Sequence, residues 1–327
     1  MRINKLYLND ALNELSIRRH RNMQHEENRR SEVFEKIPEF KQLEMSLAAT
    51  MTDAVSSLFN NNANTNIDVI FEKNRDVQKH MRELLENNGY PADYLDPIYT
   101  CSKCKDTGNT GHEWCECMCR LTNEMAAADL NENAPLSRSR FDNFDLSHYP
   151  DTADGADASP RETMQKNLEG CKKFADNFSG KESGILMIGE TGLGKTHLSL
   201  SIANKVIEKG FCVAYSSVPE LIRKIQNEQF NRADGDTLSL AISSDLLILD
   251  DLGAENSSDW CVSMLYEIIN TRQNHRLPII INTNLNPYEL SERYQDRLSS
   301  RMLSMKIMSF VGSDNRVELS ENYNSTE

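Results

Sequence analysis

Gly189-Glu190-Thr191-Gly192-Leu193-Gly194-Lys195-Thr196 follows the apolar run Ile185-Leu186-Met187-Ile188. It precedes a stretch in which Leu198, Ile202, Ala203 and Val206 recur at helical spacing up to Gly210. The octapeptide fits G-x-x-x-x-G-K-[ST] at every fixed position, and a strand before it with a helix after it is the context that pattern needs. Glycines let the loop N–H groups curl around a phosphate without Cβ clashes, and the start of the helix adds positive partial charge. Lys195 has the reach for the β- and γ-phosphates of a nucleoside triphosphate, and the Thr196 hydroxyl suits Mg²⁺. Gly189, Glu190, Thr191, Gly192, Leu193, Gly194, Lys195 and Thr196 are therefore the expected phosphate-binding set.

Downstream, Asp245-Leu246-Leu247-Ile248-Leu249-Asp250-Asp251 supplies a second element. Four apolar residues read as a buried strand, and Asp250 emerges at its carboxyl end, where ligands of such sheets bind. Asp250 is the expected Mg²⁺ ligand and Asp251 the group that polarises an attacking water, with Glu255 as a near alternative. The strand-like run Pro278–Asn282 ends in Thr283-Asn284, which places a polar side chain beside the same phosphates, or else a turn-forming Asn ahead of Asn286-Pro287. Arg297 and Arg301, four apart, share a helix face. An arginine there is either surface charge or a group reaching a neighbouring subunit's ATP.

From residue 161 onward, short apolar runs at 184–188, 211–215, 246–249, 278–282 and 305–310 alternate with amphipathic stretches. That pattern predicts an α/β fold, a parallel sheet covered by helices on both faces. Residues 1 to about 90 differ. Apolar residues recur at helical spacing without internal Gly or Pro, Asp10 is a candidate cap, Pro38 divides two runs, and Leu43, Leu47, Met51 and Leu58 form a stripe. Asn60–Asn66 is a breaker, and a further helix is expected over Val69–Glu86. The expected organisation is a helical partner-docking domain at 1–95, a metal-binding module at 96–120, a connecting helix and linker at 121–160, and an ATPase domain at 161–327.

The chain has 327 residues, a formal net charge of −14 and eight cysteines. The acidic balance excludes a surface coated throughout with nucleic-acid-binding charge, though a local basic path remains open. No apolar run is long enough to span a bilayer, and the first ten residues have no apolar signal core, so a cytoplasmic protein without a membrane partner is expected. Five cysteines crowd into 101–119: Cys101, Cys104, Cys115, Cys117 and Cys119. A tight cluster without an export signal reads as a metal site, and C-x-x-C delivers two thiolates from one knuckle. Cys101, Cys104, Cys115 and Cys117 are the expected ligands of a structural Zn²⁺, with Cys119 and His112 as substitutes for the fourth.

These blocks together (Gly189–Thr196, Leu246–Glu255, Thr283-Asn284 and Asp296-Arg297 through Ser300-Arg301) resemble the AAA+ ATPases of the helicase-loader type, DnaC and DnaI. Tyr99–Gly108 and Arg140–Leu146 resemble the longer Gram-positive loaders, and the helper ATPases of IstB-type transposons share the ATPase blocks. The resemblance spans roughly 90–327. It implies an AAA+ P-loop NTPase that binds ATP, ADP and Mg²⁺, and that self-associates through its ATPase domains. It also implies that the protein loads a DnaB-type hexameric replicative helicase onto single-stranded DNA. In it Asn284 is similar to the sensor-1 residue, Arg301 looks like the arginine finger with Arg297 next, and Arg316 is placed like a sensor-2 arginine. Phe141–Leu146 resembles the segment that packs near adenine. Asp251 stands where most AAA+ proteins carry Glu, so slow or partner-stimulated hydrolysis is expected. The family's DNA-contacting helix would start at Ser217 with a Ser-to-Glu220 capping box, and Arg223, Lys224 and Arg232 follow without an aromatic platform. The alternative readings are an IstB-like transposition helper, a small-molecule P-loop kinase and a non-hydrolysing adaptor.

Overall fold

The β-branched and leucine-rich runs become five parallel strands, and the amphipathic stretches become ten α-helices among the described residues. The computed structural model describes residues 3–59, 67–132, 134–153 and 158–312. Expectations for Asn60–Asn66 and for Arg316 lie outside them. The chain divides into two units, one comprising 12–113 and the other 1–11 with 114–327. Among the described residues no helix is long and apolar enough to cross a membrane.

The helices expected near the start are α1 (Leu8–Lys36), α2 (Pro38–Phe59) and α3 (Ile67–Asn87). Asp10 is not a cap. A 3-10 turn at Lys5–Tyr7, capped by Asn4, feeds α1 two residues earlier, so Asp10 lies in the first turn, where its charge suits the helix dipole. Pro38 opens α2, where its missing N–H costs nothing. Val33, Ile37, Phe40 and Leu85 form the core of the helical unit. Around it Glu32 accepts from Lys36 Nζ (2.8 Å), Tyr90 OH (2.9 Å) and Tyr94 OH (3.1 Å).

In the second unit α4 (Glu116–Leu130) and α5 (Pro160–Asp176) precede the sheet. Ser159 and Glu162 close a reciprocal capping box on α5, a device worth about 1 kcal/mol. There follow β1 (Ile185–Ile188), α6 (Lys195–Glu208), β2 (Val213–Ser217), α7 (Val218–Gln229), α8 (Thr237–Ser243), β3 (Leu246–Leu252), α9 (Asp259–Asn274), β4 (Ile279–Thr283), α10 (Pro287–Leu303) and β5 (Lys306–Ser309). Ser217 caps α7 by accepting from Glu220 N, and the return half of the expected capping box does not form. The sheet order is β2-β3-β4-β1-β5, every neighbouring pair parallel. Alternate residues serve opposite faces. Ile185, Met187, Val213, Ile248 and Ile280 pack with α5 and α6, while Leu186, Ile188, Leu247, Leu249 and Ile281 pack with α4 and α7–α10.

Two features of this sheet position the site. First, β4 lies between β1 and β3, so the strand that launches the phosphate loop and the strand that carries the twin aspartates both border it. Second, the β3–β4 register pairs Leu249 with Ile281 but Leu252 with Thr283, so one extra residue bulges from β3 at Asp250-Asp251.

Candidate nucleotide site

The loop between β1 and α6 is shaped by its glycines. Gly194 caps α6 at φ 85°, and a Cβ there would stand 2.7 Å from the Phe144 ring and 3.0 Å from the Tyr149 hydroxyl. A Cβ on Gly189 would collide with the backbone carbonyl of Phe310. Lys195, the first residue of α6, is buried, and its ammonium donates to the carbonyls of Gly189 and Glu190 at 2.6 Å each. The loop and the carboxyl ends of the strands enclose a cavity of about 460 Å³. Residues 191–197 form one wall, and Asp251, Gly253, Ala254 and Asn284 form the other. Its position at the carboxyl edge of a parallel sheet is where such folds bind ligands.

The bulge separates the two aspartates. Asp250 is 4% exposed and Asp251 is exposed, with φ 54°, a left-handed conformation that Asp tolerates better than most residues. Asp250 accepts from Thr196 Oγ1 (3.2 and 3.0 Å), Tyr215 OH (2.8 Å), Asn282 Nδ2 (2.9 Å) and the Asp251 N–H (3.2 Å). The sequence therefore brings Thr196 and Asp250 together as expected, with Asp251 facing the cavity. Burial and the Asp250 carboxylate push the Tyr215 phenol far above its ordinary value, so it remains a donor.

Other expected residues are placed as follows. Asn284 is exposed and lines the cavity, while its neighbour Thr283 is buried and donates to the Leu252 carbonyl at 2.7 Å. Glu255, the alternative water-polarising group, points elsewhere. It is buried, accepts from Gly253 N at 2.9 Å and from Tyr294 OH, and pairs with Arg293. Arg297 is exposed. Arg301 is partly buried, its guanidinium 5.4 Å from the Tyr266 ring centre and 3.3 Å from Gln273 Oε1. Neither lines the cavity. On the other side of the loop, Phe144 stacks on Tyr149 (5.9 Å) and meets His197 (5.5 Å), Tyr149 OH donates to Leu193 O (3.0 Å), and His197 Nε2 lies 2.9 Å from Arg140 O. On α7, Arg223 is exposed and Lys224 approaches Glu220 at 3.9 Å. Just past α7, Phe230 is 59% exposed and Arg232 lies 5.6 Å from its ring centre.

Sequence reasoning missed Tyr215, Asn282 and His197. The one signal for Asn282 was a polar residue ending an isoleucine run, and His197 directly follows the loop motif. Tyr215 carried none, because an aromatic is ordinary in a strand.

The sulfurs of Cys101, Cys104, Cys115 and Cys117 all lie within 4.8 Å of one another, a set that could hold a metal ion. Four convergent thiols fit tetrahedral Zn²⁺, whose Zn–S bonds are about 2.3 Å. Asp106 shapes the first knuckle by accepting from Thr100 N (2.8 Å) and Cys101 N (2.7 Å). Cys115 is the N-cap of α4 and Cys117 sits in its first turn, where the dipole favours thiolate. Cys119 lies about 200° further around that helix. It is buried, its thiol is raised by desolvation, and neither it nor His112 joins the group.

Residues 137–308 match the family described as IstB-like ATP binding protein. The replicative helicase loader DnaI of Bacillus subtilis (strain 168) is 29% identical over 119 residues, 36% of this chain and 38% of DnaI. The replicative helicase loader DnaC of Escherichia coli (strain K12) is 24% identical over 143 residues, 43% of this chain and 58% of DnaC. A putative insertion sequence ATP-binding protein of Sinorhizobium fredii (strain NBRC 101917 / NGR234) is 32% identical over 109 residues, 33% of this chain and 36% of that protein. The matched region covers less than two thirds of either loader's length. The family match takes in more than half of the chain and encloses the whole cavity, from the loop at 189–196 to Asn284. This chain therefore belongs to the IstB-like ATP binding protein family.

Proposed function

We propose that this protein is a cytoplasmic ATPase that loads a DnaB-type replicative helicase onto single-stranded DNA. The observation that carries the reading is the convergence of Lys195, Thr196 and Asp251 on one cavity, with Asp250 hydrogen-bonded to Thr196, in a chain related to two helicase loaders. Lys195 and the loop N–H groups hold the β- and γ-phosphates, and Thr196 with Asp250 holds Mg²⁺. When bound, that ion neutralises charge on the β- and γ-phosphates. Asp251 orients the attacking water, and Asn284 contacts the γ-phosphate from the neighbouring strand. Arg301, or Arg297 beside it, reaches the ATP of an adjoining copy rather than its own, which is consistent with neither lining the cavity. ATP and ADP states then bind the helicase differently. Cys101, Cys104, Cys115 and Cys117 hold a structural Zn²⁺, and Arg223, Lys224 and Arg232 with Phe230 offer phosphate contacts and one stacking face to a single strand.

The match to an insertion sequence ATP-binding protein supports a second reading, a transposition helper. The helical and cysteine-bearing region before residue 120 favours the loader. The deciding experiment is co-purification of the full chain with a replicative helicase and, separately, with a transposase, each with ATP and with ADP. Capture of the helicase that changes between the two nucleotides supports loading. Capture of the transposase alone overturns it.

A further inference from the structure

Three residues toward the carboxyl ends of adjacent strands, Tyr215 on β2, Asp250 on β3 and Asn282 on β4, lie on the sheet face that packs against α6. Each stands two residues after an apolar one: Val213, Ile248 and Ile280 are all part of that face's core. Asp250 is held from both flanks. Tyr215 donates to Oδ2 at 2.8 Å and Asn282 to Oδ1 at 2.9 Å. Asn282 also donates to Ser199 Oγ at 2.9 Å, and Ser199 in turn donates to the carbonyl of Thr196 at 3.0 Å. A carboxylate only accepts, so Asn282 must turn its amide nitrogen toward Asp250. In that orientation its Oδ1 is buried without a hydrogen-bond partner. A strand that opens Ile279-Ile280-Ile281 would gain stability from an apolar residue here, because an unsatisfied buried carbonyl is costly. The amide therefore serves Asp250 rather than the core.

We propose that Asn282 and Tyr215 are positioning residues that fix the Asp250 carboxylate so that its remaining lone pairs and the Thr196 hydroxyl meet Mg²⁺ in one geometry. Neither lines the cavity, and both act through Asp250. The proposal rests on the reading of Asp250 as a magnesium ligand.

The test measures affinity for a fluorescent ATP analogue across a Mg²⁺ titration and in excess EDTA, using the full chain. Asn282→Leu is expected to raise the half-saturating Mg²⁺ concentration about tenfold, the worth of one hydrogen bond to a charged group. Affinity in EDTA should stay within about twofold, and the melting temperature should not fall. Tyr215→Phe keeps the ring and removes only the hydroxyl, so it tests the same point if Asn282→Leu folds poorly. Its Mg²⁺ requirement should rise about three- to tenfold. Wild-type Mg²⁺ dependence in both variants, or equal losses with and without Mg²⁺, would overturn the inference. Asp250→Asn separates the two layers. If it too leaves Mg²⁺ dependence unchanged, the metal-ligand reading itself fails. If it alone abolishes that dependence, only the positioning role fails.

Discussion

Asp251 combines exposure, a left-handed backbone and a place on the cavity wall, and Asn is the substitution that isolates its charge. Asn tolerates φ 54° as well as Asp does, so Asp251→Asn leaves the bulge unstrained. Loss of a water-orienting carboxylate should lower ATP hydrolysis about 10²- to 10⁴-fold, with ATP affinity within about twofold. A phosphate-release assay beside direct binding checks this, and an unchanged rate would remove Asp251 from the chemistry. The three scattered cysteines are a different case. Burial pushes the thiols of Cys171 and Cys212 up to about 12 and that of Cys261 to about 11. They are core residues held as neutral thiols.

At the level of elements, α4 carries both halves of a question about metal. Cys115 and Cys117 occupy its start, while Cys119 faces the core. Cys117→Ser should therefore lose bound zinc, and Cys119→Ser should keep about one zinc per chain by elemental analysis. Zinc retained by the first and lost by the second would reverse the ligand assignment. Glu32 of α1 accepts from Lys36, Tyr90 and Tyr94, which hold its carboxyl down to about 2, below its ordinary value of 4.5. A depressed carboxylate stabilises the fold above pH 4.5 and loses that contribution as pH falls toward 2. Glu32→Gln should accordingly flatten the acid limb of a helicity titration between those values and change little below it. A wild-type acid limb in the variant would count against the cluster. Both members of the Glu32–Lys36 pair are solvent-exposed, so the effect is modest.

On the scale of the whole molecule, no arginine lines the cavity among the described residues. Arg301 leans on Tyr266 and Gln273 instead. If it completes a neighbour's site, hydrolysis should rise more than linearly with protein concentration, and Arg301→Ala should lower it about 10³-fold. Mixing Arg301→Ala with Lys195→Ala should restore part of the rate, because the second variant lends its arginine to the first variant's intact loop. No recovery on mixing, with both variants folded, would sink the shared-site reading and return Arg301 to a surface role.

The loop at 189–196, all five strands and the cysteine-rich segment were legible in the sequence, because each is a local pattern of spacing, period or chelating side chains. Strand bounds slipped where tertiary contacts decided them. The run expected at 211–215 pairs over Val213–Ser217, and the run expected at 246–249 extends to Leu252. Strand order was not legible, since alternation tells which face is buried and not which strand lies alongside. Only that order sets β4 beside β3 and lets Asn282 reach Asp250. Only the bulge turns two consecutive aspartates into one buried acceptor and one exposed acid. Only the packing of α10 commits Glu255 to Arg293 and Tyr294. Chain-local chemistry named the residues able to grip a triphosphate; the meeting of strands distant in sequence decided which of them share a hydrogen bond.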